Sequence, residues 1–333
     1  MFWSKTLLRA FVSLILLSLM LSSATFAQKK SNKKQQNQQP NLQAYGKPVM
    51  WERVNVSGRD LYWGPGGREM QPDLSRITYI REEKQGHNKK YRIRDGAGRT
   101  WVAKLGREAQ PETAAVRLLW ALGYKTEINY LVPTITIPGK GTFKNVRLEA
   151  RPDEIDRLDE WKWKDNPFIG TNELQGLKIM MVFMTNWDVL DKQNKILLVD
   201  RGNGGKQVQY IVSDLGATFG KLGNNNFPII YRLGRKTGNP EKYISGNLVK
   251  GAEYGLVKLA YKGKNRDIFK NISVLSARWL ADLLLQLSDK QIEDAFRAAN
   301  YAPNQIALFK QGVRNRIAQL HRVADERNLT VSK

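Results

Sequence analysis

The stretch from Leu177 to Gly220 constrains the fold more than any other part of the chain. Leu177-Lys-Ile-Met-Met-Val-Phe-Met184 is an apolar run long enough for about two helical turns. It breaks into the acidic segment Thr185-Asn-Trp-Asp-Val-Leu-Asp-Lys-Gln-Asn194. Two β-rich runs follow, Lys195-Ile-Leu-Leu-Val-Asp200 and Gln207-Val-Gln-Tyr-Ile-Val212, joined by Arg201-Gly-Asn-Gly-Gly-Lys206. Such runs around a glycine-rich turn predict a hairpin. The second run ends in Ser213-Asp-Leu-Gly216. The order is therefore helix, acidic loop ending in Asn, hairpin, Asp-Leu-Gly.

Upstream, Arg76–Glu82 and Lys90–Asp95 alternate apolar and polar residues, as half-buried strands do. Asp95-Gly-Ala-Gly98 is a tight turn, and Thr100-Trp-Val-Ala-Lys-Leu105 is a third strand with Lys104 near its end. A helix is predicted over 110–124, with Pro111 at its first position, Glu112 in its first turn and Gly123 as its stop. Tyr130–Ile137 and Asn145–Ala150 read as two more strands. Arg151–Lys164 is charged and aromatic, either a lip over a cleft or a solvated helix or loop. Leu61-Tyr-Trp-Gly-Pro-Gly-Gly67 is a packing turn, too far before Lys104 to share a hairpin with it. The C-terminal part is helical, with Ser288-Asp-Lys-Gln291 as a capping box before the run 292–299.

In this order and spacing the residues resemble the protein-kinase superfamily. The resemblance covers about residues 75 to 220 by motif. It implies an α+β, two-lobed kinase-like fold, with a small β-rich N-lobe over 50–150 and a larger, mainly helical C-lobe over 151–328. It implies that Lys104 and Glu112 position a nucleoside triphosphate, with Glu108 as the other candidate acid. Gly86 and Lys89, in the loop 84–89, would lie by the phosphates, with Lys90 beside them. Asp188 would orient the acceptor, with Asp191 as the second acid of that loop. Asn194 and Asp214 would hold Mg²⁺ or Mn²⁺, with ATP as co-substrate. The chain departs from the family in four places. Asp188 and Asn194 are six positions apart rather than five, Asn186-Trp187 replaces His-Arg, the phosphate loop has one glycine, and Ala-Pro-Glu is missing.

Composition narrows the chemistry. The chain has no cysteine and two histidines, His87 and His321. A zinc site built on His or Cys is excluded, as is a disulfide-linked partner, and neither histidine carries a hydrolase motif. A metal must be held by oxygen ligands, which suits Mg²⁺ or Mn²⁺. Lys5 and Arg9, then the apolar run Ala10–Leu21, then Ser22-Ser-Ala-Thr-Phe-Ala27 form a secretory signal with cleavage after Ala27. The expected location is secreted or periplasmic. Gln28–Val49 reads as a disordered basic linker. A formal net charge of +23 favours an anionic acceptor. Three readings stand at this level. They are a phosphotransferase, a catalytically inactive relative, and a basic module that grips an anionic envelope polymer, lipid or nucleic acid.

Overall fold

Alternation of side chains along the strands of residues 78–150 builds a sheet with two unlike faces. In a computed structural model the structure describes residues 42–84, 88–202, 204–222 and 235–325. The chain divides into two units, Met1–Ala44 and Tyr45–Lys333. The expected signal segment, most of the linker, Gly86 and the run 223–234 lie outside the described residues. The second unit opens with a meander of β1 (Thr78–Glu83), β2 (Lys90–Arg94) and β3 (Thr100–Lys104). Helix α1 (Ala109–Ala121) follows, then β4 (Asn129–Ile137) and β5 (Gly141–Ala150). The five strands form one antiparallel sheet in the order β1-β2-β3-β5-β4.

Cross-strand partners share a face. Tyr91, Ala103 and Leu148 are one such row and Ile93 and Trp101 another, and with Tyr130, Val132 and Val146 they make an apolar core. Trp63, Met70 and Ile77 pack against this core. The other face carries Lys90, Lys104 and Arg147 in one row and Val102 and Glu149 in the next. Helix α1 contacts β4 and β5 and sends Glu112 to that polar face. The turn between β2 and β3 is fixed by the buried Asp95, which accepts from Arg99 N at 2.8 Å and Trp101 Nε1 at 2.9 Å. The 61–67 turn packs as expected. Gly64 sits against the Arg117 side chain, and Tyr130 Oη donates to Gly67 O at 2.6 Å.

Residues 151–164 form no helix, and the loop reading holds on either side of a strand. They contain β6 (Ile155–Asp159), which pairs antiparallel with β7 (Asn194–Asp200), and β7 pairs with β8 (Lys206–Val212). Charged residues hid the alternation of Ile155 and Arg157. Trp161 and Trp163, both buried, meet edge to face at 4.7 Å, and Trp161 Nε1 donates to Ile211 O at 2.8 Å. Helix α2 (Asn172–Phe183) starts earlier than its apolar run, because Thr171 caps it by accepting from Leu174 N at 3.2 Å.

The remaining elements are β9 (Lys221–Leu222), β10 (Arg235–Lys236), α3 (Pro240–Ile244), β11 (Val249–Glu253), β12 (Leu256–Leu259), α4 (Val274–Leu285), α5 (Asp289–Arg297) and α6 (Pro303–Asp325). The expected capping box is present, with Gln291 N donating to Ser288 Oγ and Ser288 N to Gln291 Oε1. A ring cluster of Phe219, Tyr243, Phe296, Tyr301 and Phe309 joins α3, α5 and α6 to the segment after β8, with Phe296 and Phe309 stacked at 4.5 Å. The class is α+β, with a five-stranded sheet lobe ahead of a helical lobe. The five-stranded sheet, the helix after β3 and the β7–β8 hairpin come in the order predicted from the sequence.

Candidate active site

Lys104 is the centre of the site. It ends β3 on the polar face and is 2 % exposed. Its Nζ stands 2.8 Å from Glu112 Oε2, 3.2 Å from Asp214 Oδ1 and 3.2 Å from Glu108 Oε2. An ammonium has three donor hydrogens, so all three have a carboxylate beside them. Burial would lower its pKa, but Glu112 and Asp214 outweigh burial and raise it. Glu112 is fully buried, and burial pushes its carboxyl up against the pull of Arg147 and Lys104. Asp214 is 39 % exposed at its side chain, and its carboxyl is held below the usual range. Burial opposes that shift, and Lys104 and the Gly216 N–H overcome it.

A second cation lies behind the first. Arg147, the register partner of Lys104, is buried at 3.2 Å from Glu112 Oε1 and 2.5 Å from Glu149 Oε2. Glu149 also receives Arg151, and Arg157 Nη2 donates to it at 2.8 Å. Burial alone would raise the Glu149 carboxyl. Arg151, Arg147 and Arg157 together hold it well below the carboxylate range. A depressed acid adds stability that is present above its unfolded pKa and lost as pH falls through its folded one. The wild-type Tm is therefore expected to fall as pH is lowered from about 5. Glu149→Gln should start lower at pH 7 and fall less over the same range, as thermal melts at stepped pH would register.

Asp188 follows α2 on the loop predicted for it. Lys264 forms an ion pair with its Oδ1, and Gln193 Nε2 donates to its Oδ2 at 2.9 Å. The backbone carbonyl of Gln193 accepts from Ser213 N at 2.8 Å and Asp214 N at 3.3 Å. Gln193 thus ties the Asp188 loop to the Asp214 turn, a role with no sequence signal. Asp191 instead accepts from Trp163 N at 3.0 Å. Asn194 opens β7 fully buried, and its Nδ2 donates to Trp161 O at 2.9 Å. Lys89 lies over the Tyr91 ring at 5.3 Å, on the apolar side of the sheet. The lysine beside the cluster is Lys90, whose pKa is lowered by burial and then by nearby Lys104. The structure therefore brings Lys104, Glu112 and Asp214 into direct contact and links Asp188 to them through Gln193. It does not bring Lys89 to them.

Two residues near the site hold left-handed backbone. Thr185 has φ 54° and Phe219 φ 54°, conformations that cost about 1–3 kcal/mol each in a non-glycine residue. Both are held in place. Phe219 N donates to Met184 O at 2.7 Å, Gly220 N donates to Thr185 Oγ1 at 2.9 Å, and the Phe219 ring sits in the aromatic cluster. The end of α2 and the segment after Asp214 are thereby locked together.

The two residues that the resemblance assigns to a metal each keep one side-chain oxygen unused. Asn194 Oδ1 is buried with no hydrogen-bond partner, and Asp214 spends Oδ1 on Lys104 and Gly216, leaving Oδ2. Among the described residues no group of three or more His, Cys, Asp or Glu could hold a metal by itself. One carboxylate and one amide oxygen suit Mg²⁺ or Mn²⁺ that keeps waters and arrives with phosphate oxygens. A cavity of about 240 Å³, lined among others by Trp120, Glu127, Arg151, Arg157 and Leu197, does not include Lys104 or Asp214.

No protein-family model matches the chain. No curated protein matches it either. Among solved structures it is similar to a Helicobacter pylori proinflammatory kinase, CtkA, with a TM-score of 0.47 and 10 % identity, over 79 % of this chain and 99 % of that one.

Proposed function

We propose that the protein is a kinase-like phosphotransferase that uses a nucleoside triphosphate with Mg²⁺ or Mn²⁺. The observation that carries the proposal is the meeting of Lys104 with Glu112 and Asp214, the last 110 positions away in sequence. A buried lysine held by an acid suits the grip on nucleotide phosphates. Asp214 and Asn194 would hold the metal, which neutralises charge on the phosphoryl oxygens. In this reading Asp188 orients an acceptor hydroxyl once Lys264 or Gln193 gives way. The acceptor is anionic in this reading. Lys264 is paired with Asp188, and Lys264 and Arg235 flank the Trp187 ring at 5.9 and 4.5 Å. The signal-like sequence of the first 27 residues supports action outside the cytoplasm.

The test is thermal stabilisation by ATP with Mn²⁺, in wild type and in Asp214→Ala. A metal-dependent rise in Tm that the variant lacks supports the reading; no rise in a folded sample overturns it. A second reading, a nucleotide-binding but inactive relative, is favoured by Lys264 and Gln193 occupying both Asp188 oxygens. It predicts the same rise without transfer of the terminal phosphate to any acceptor or to water.

The Lys104 donors carry a further expectation. A phosphate must displace one of the three acids. Glu112 is locked in, whereas Glu108 is 23 % exposed at its side chain. Asn88 Nδ2 donates to the same Glu108 oxygen, so this carboxylate takes the place a phosphate needs. Glu108→Gln is expected to tighten Mn²⁺–ATP binding several-fold, as titration calorimetry would read.

A further inference from the structure

The ion pairs around Lys104 continue away from it and come back. From Lys104 they run through Glu112, Arg147 and Glu149 to Arg157. Arg157 Nη2 also donates to Glu127 Oε2 at 2.6 Å. Glu127 uses its other oxygen, Oε1, to accept from Ser213 Oγ at 2.7 Å. Ser213 precedes Asp214, which returns to Lys104. The circuit is closed, and only its Ser213–Asp214 step is covalent.

Glu127 is buried and lies just before β4, so this contact joins the sheet lobe to the turn after β8 across 86 positions. Three hydrogen bonds tie residues 213–215 to the sheet lobe. They are Leu215 N to Glu112 Oε1 at 3.4 Å, Lys104 Nζ to Asp214 Oδ1 at 3.2 Å, and Ser213 Oγ to Glu127 at 2.7 Å. All three go to carboxylate oxygens, the stronger class of hydrogen bond, and the last is the shortest. A ring of buried ions is no better for stability than apolar residues of the same volume. What it supplies is a fixed geometry. Resting on the nucleotide reading above, we propose that Glu127 is a positioning residue. Through Ser213 it sets the backbone that carries Asp214, so that the carboxylate stands beside Lys104 and can meet the metal.

The test is Mn²⁺ binding in the presence of ATP, followed by electron paramagnetic resonance of free Mn²⁺, with the ligand-free Tm measured beside it. Ser213→Ala is expected to weaken Mn²⁺ binding about tenfold, the loss of one charge-assisted hydrogen bond, and Glu127→Ala, which also releases Arg157, at least as much. The double variant should bind no more weakly than the weaker single one, and Ser213→Thr, which keeps the hydroxyl, should restore binding. Tyr124→Phe is the control. Its hydroxyl donates to Glu173 O at 2.9 Å, a tie between the segment after α1 and α2 that uses neither Ser213 nor Glu127. It should lower Tm without changing Mn²⁺ affinity. Additive losses from Ser213 and Glu127, unchanged Mn²⁺ affinity in both, or an equal loss in Tyr124→Phe each overturn the inference and leave the nucleotide reading standing. Absence of ATP-dependent Mn²⁺ binding in wild type overturns both.

Discussion

Lys104→Met is expected to abolish metal-dependent nucleotide binding and to cost about 3–5 kcal/mol of stability, the range for removing one partner of a buried ion pair. Against a total stability of about 5–15 kcal/mol, that is a large share. The cost arises from what stays behind. Glu112 remains buried with one cation, Arg147, in place of two, and Asp214 loses the ammonium that drew its carboxyl down. The chain can recover part of the loss by protonating Glu112, whose carboxyl burial already pushes up. The sign follows. An acid with a raised folded pKa destabilises the fold above that value and is relieved as pH falls through it. The deficit of the variant should therefore shrink on acidification. Urea midpoints of both proteins at pH 7.5 and pH 5.5 check this; a deficit that grows on acidification would contradict it.

Arg147→Met is the second large effect. Arg147 sits between Glu112 and Glu149, both buried, and among the described residues its guanidinium alone bridges them. Truncation leaves two acids short of a partner, and a loss at the upper end of about 3–5 kcal/mol is expected. Arg278→Met offers the contrast. Arg278 pairs with Asp325 at 2.5 Å, but both side chains are 38 % exposed. Water screens that pair, and its loss should cost under about 1 kcal/mol. Chemical denaturation of the two variants should separate them clearly. Equal losses would mean that the buried circuit contributes no more than a surface pair.

What could be read before the structure, and what could not, follows from where each signal resides. Lys104, Glu112 and Asp214 each sit at a place that local sequence marks: the end of an alternating strand, the first turn of a helix, and an Asp-Leu-Gly closing a hairpin. Arg147 and Glu149 carry no such mark. Asn145-Val-Arg-Leu-Glu-Ala150 reads as a strand, with nothing to say which way its charges face. Only its register beside β3 shows that the charged face is the inner one. Lys89 and Lys90 differ by a single step of the pleat, and one step exchanges the faces. The sequence cannot tell which of them meets Lys104 without the pairing of Lys90 with Lys104. β6 was obscured in the same way, because Ile155-Asp-Arg-Leu-Asp159 spends its one inward charge, Arg157, on Glu127 and Glu149. Gln193 and Glu127 act through hydrogen bonds to the distant Ser213–Asp214 segment, and no local pattern encodes that.

The measurement closest to the central claim is calorimetric titration of ATP into the full chain, with and without Mn²⁺, for wild type and Lys104→Met at a temperature where both are folded. The account predicts binding by wild type that strengthens with Mn²⁺ and is lost in Lys104→Met. Equal binding by the two proteins, or none by either alongside salt-sensitive binding to a polyanion, would contradict it and return the basic binding module as the better description.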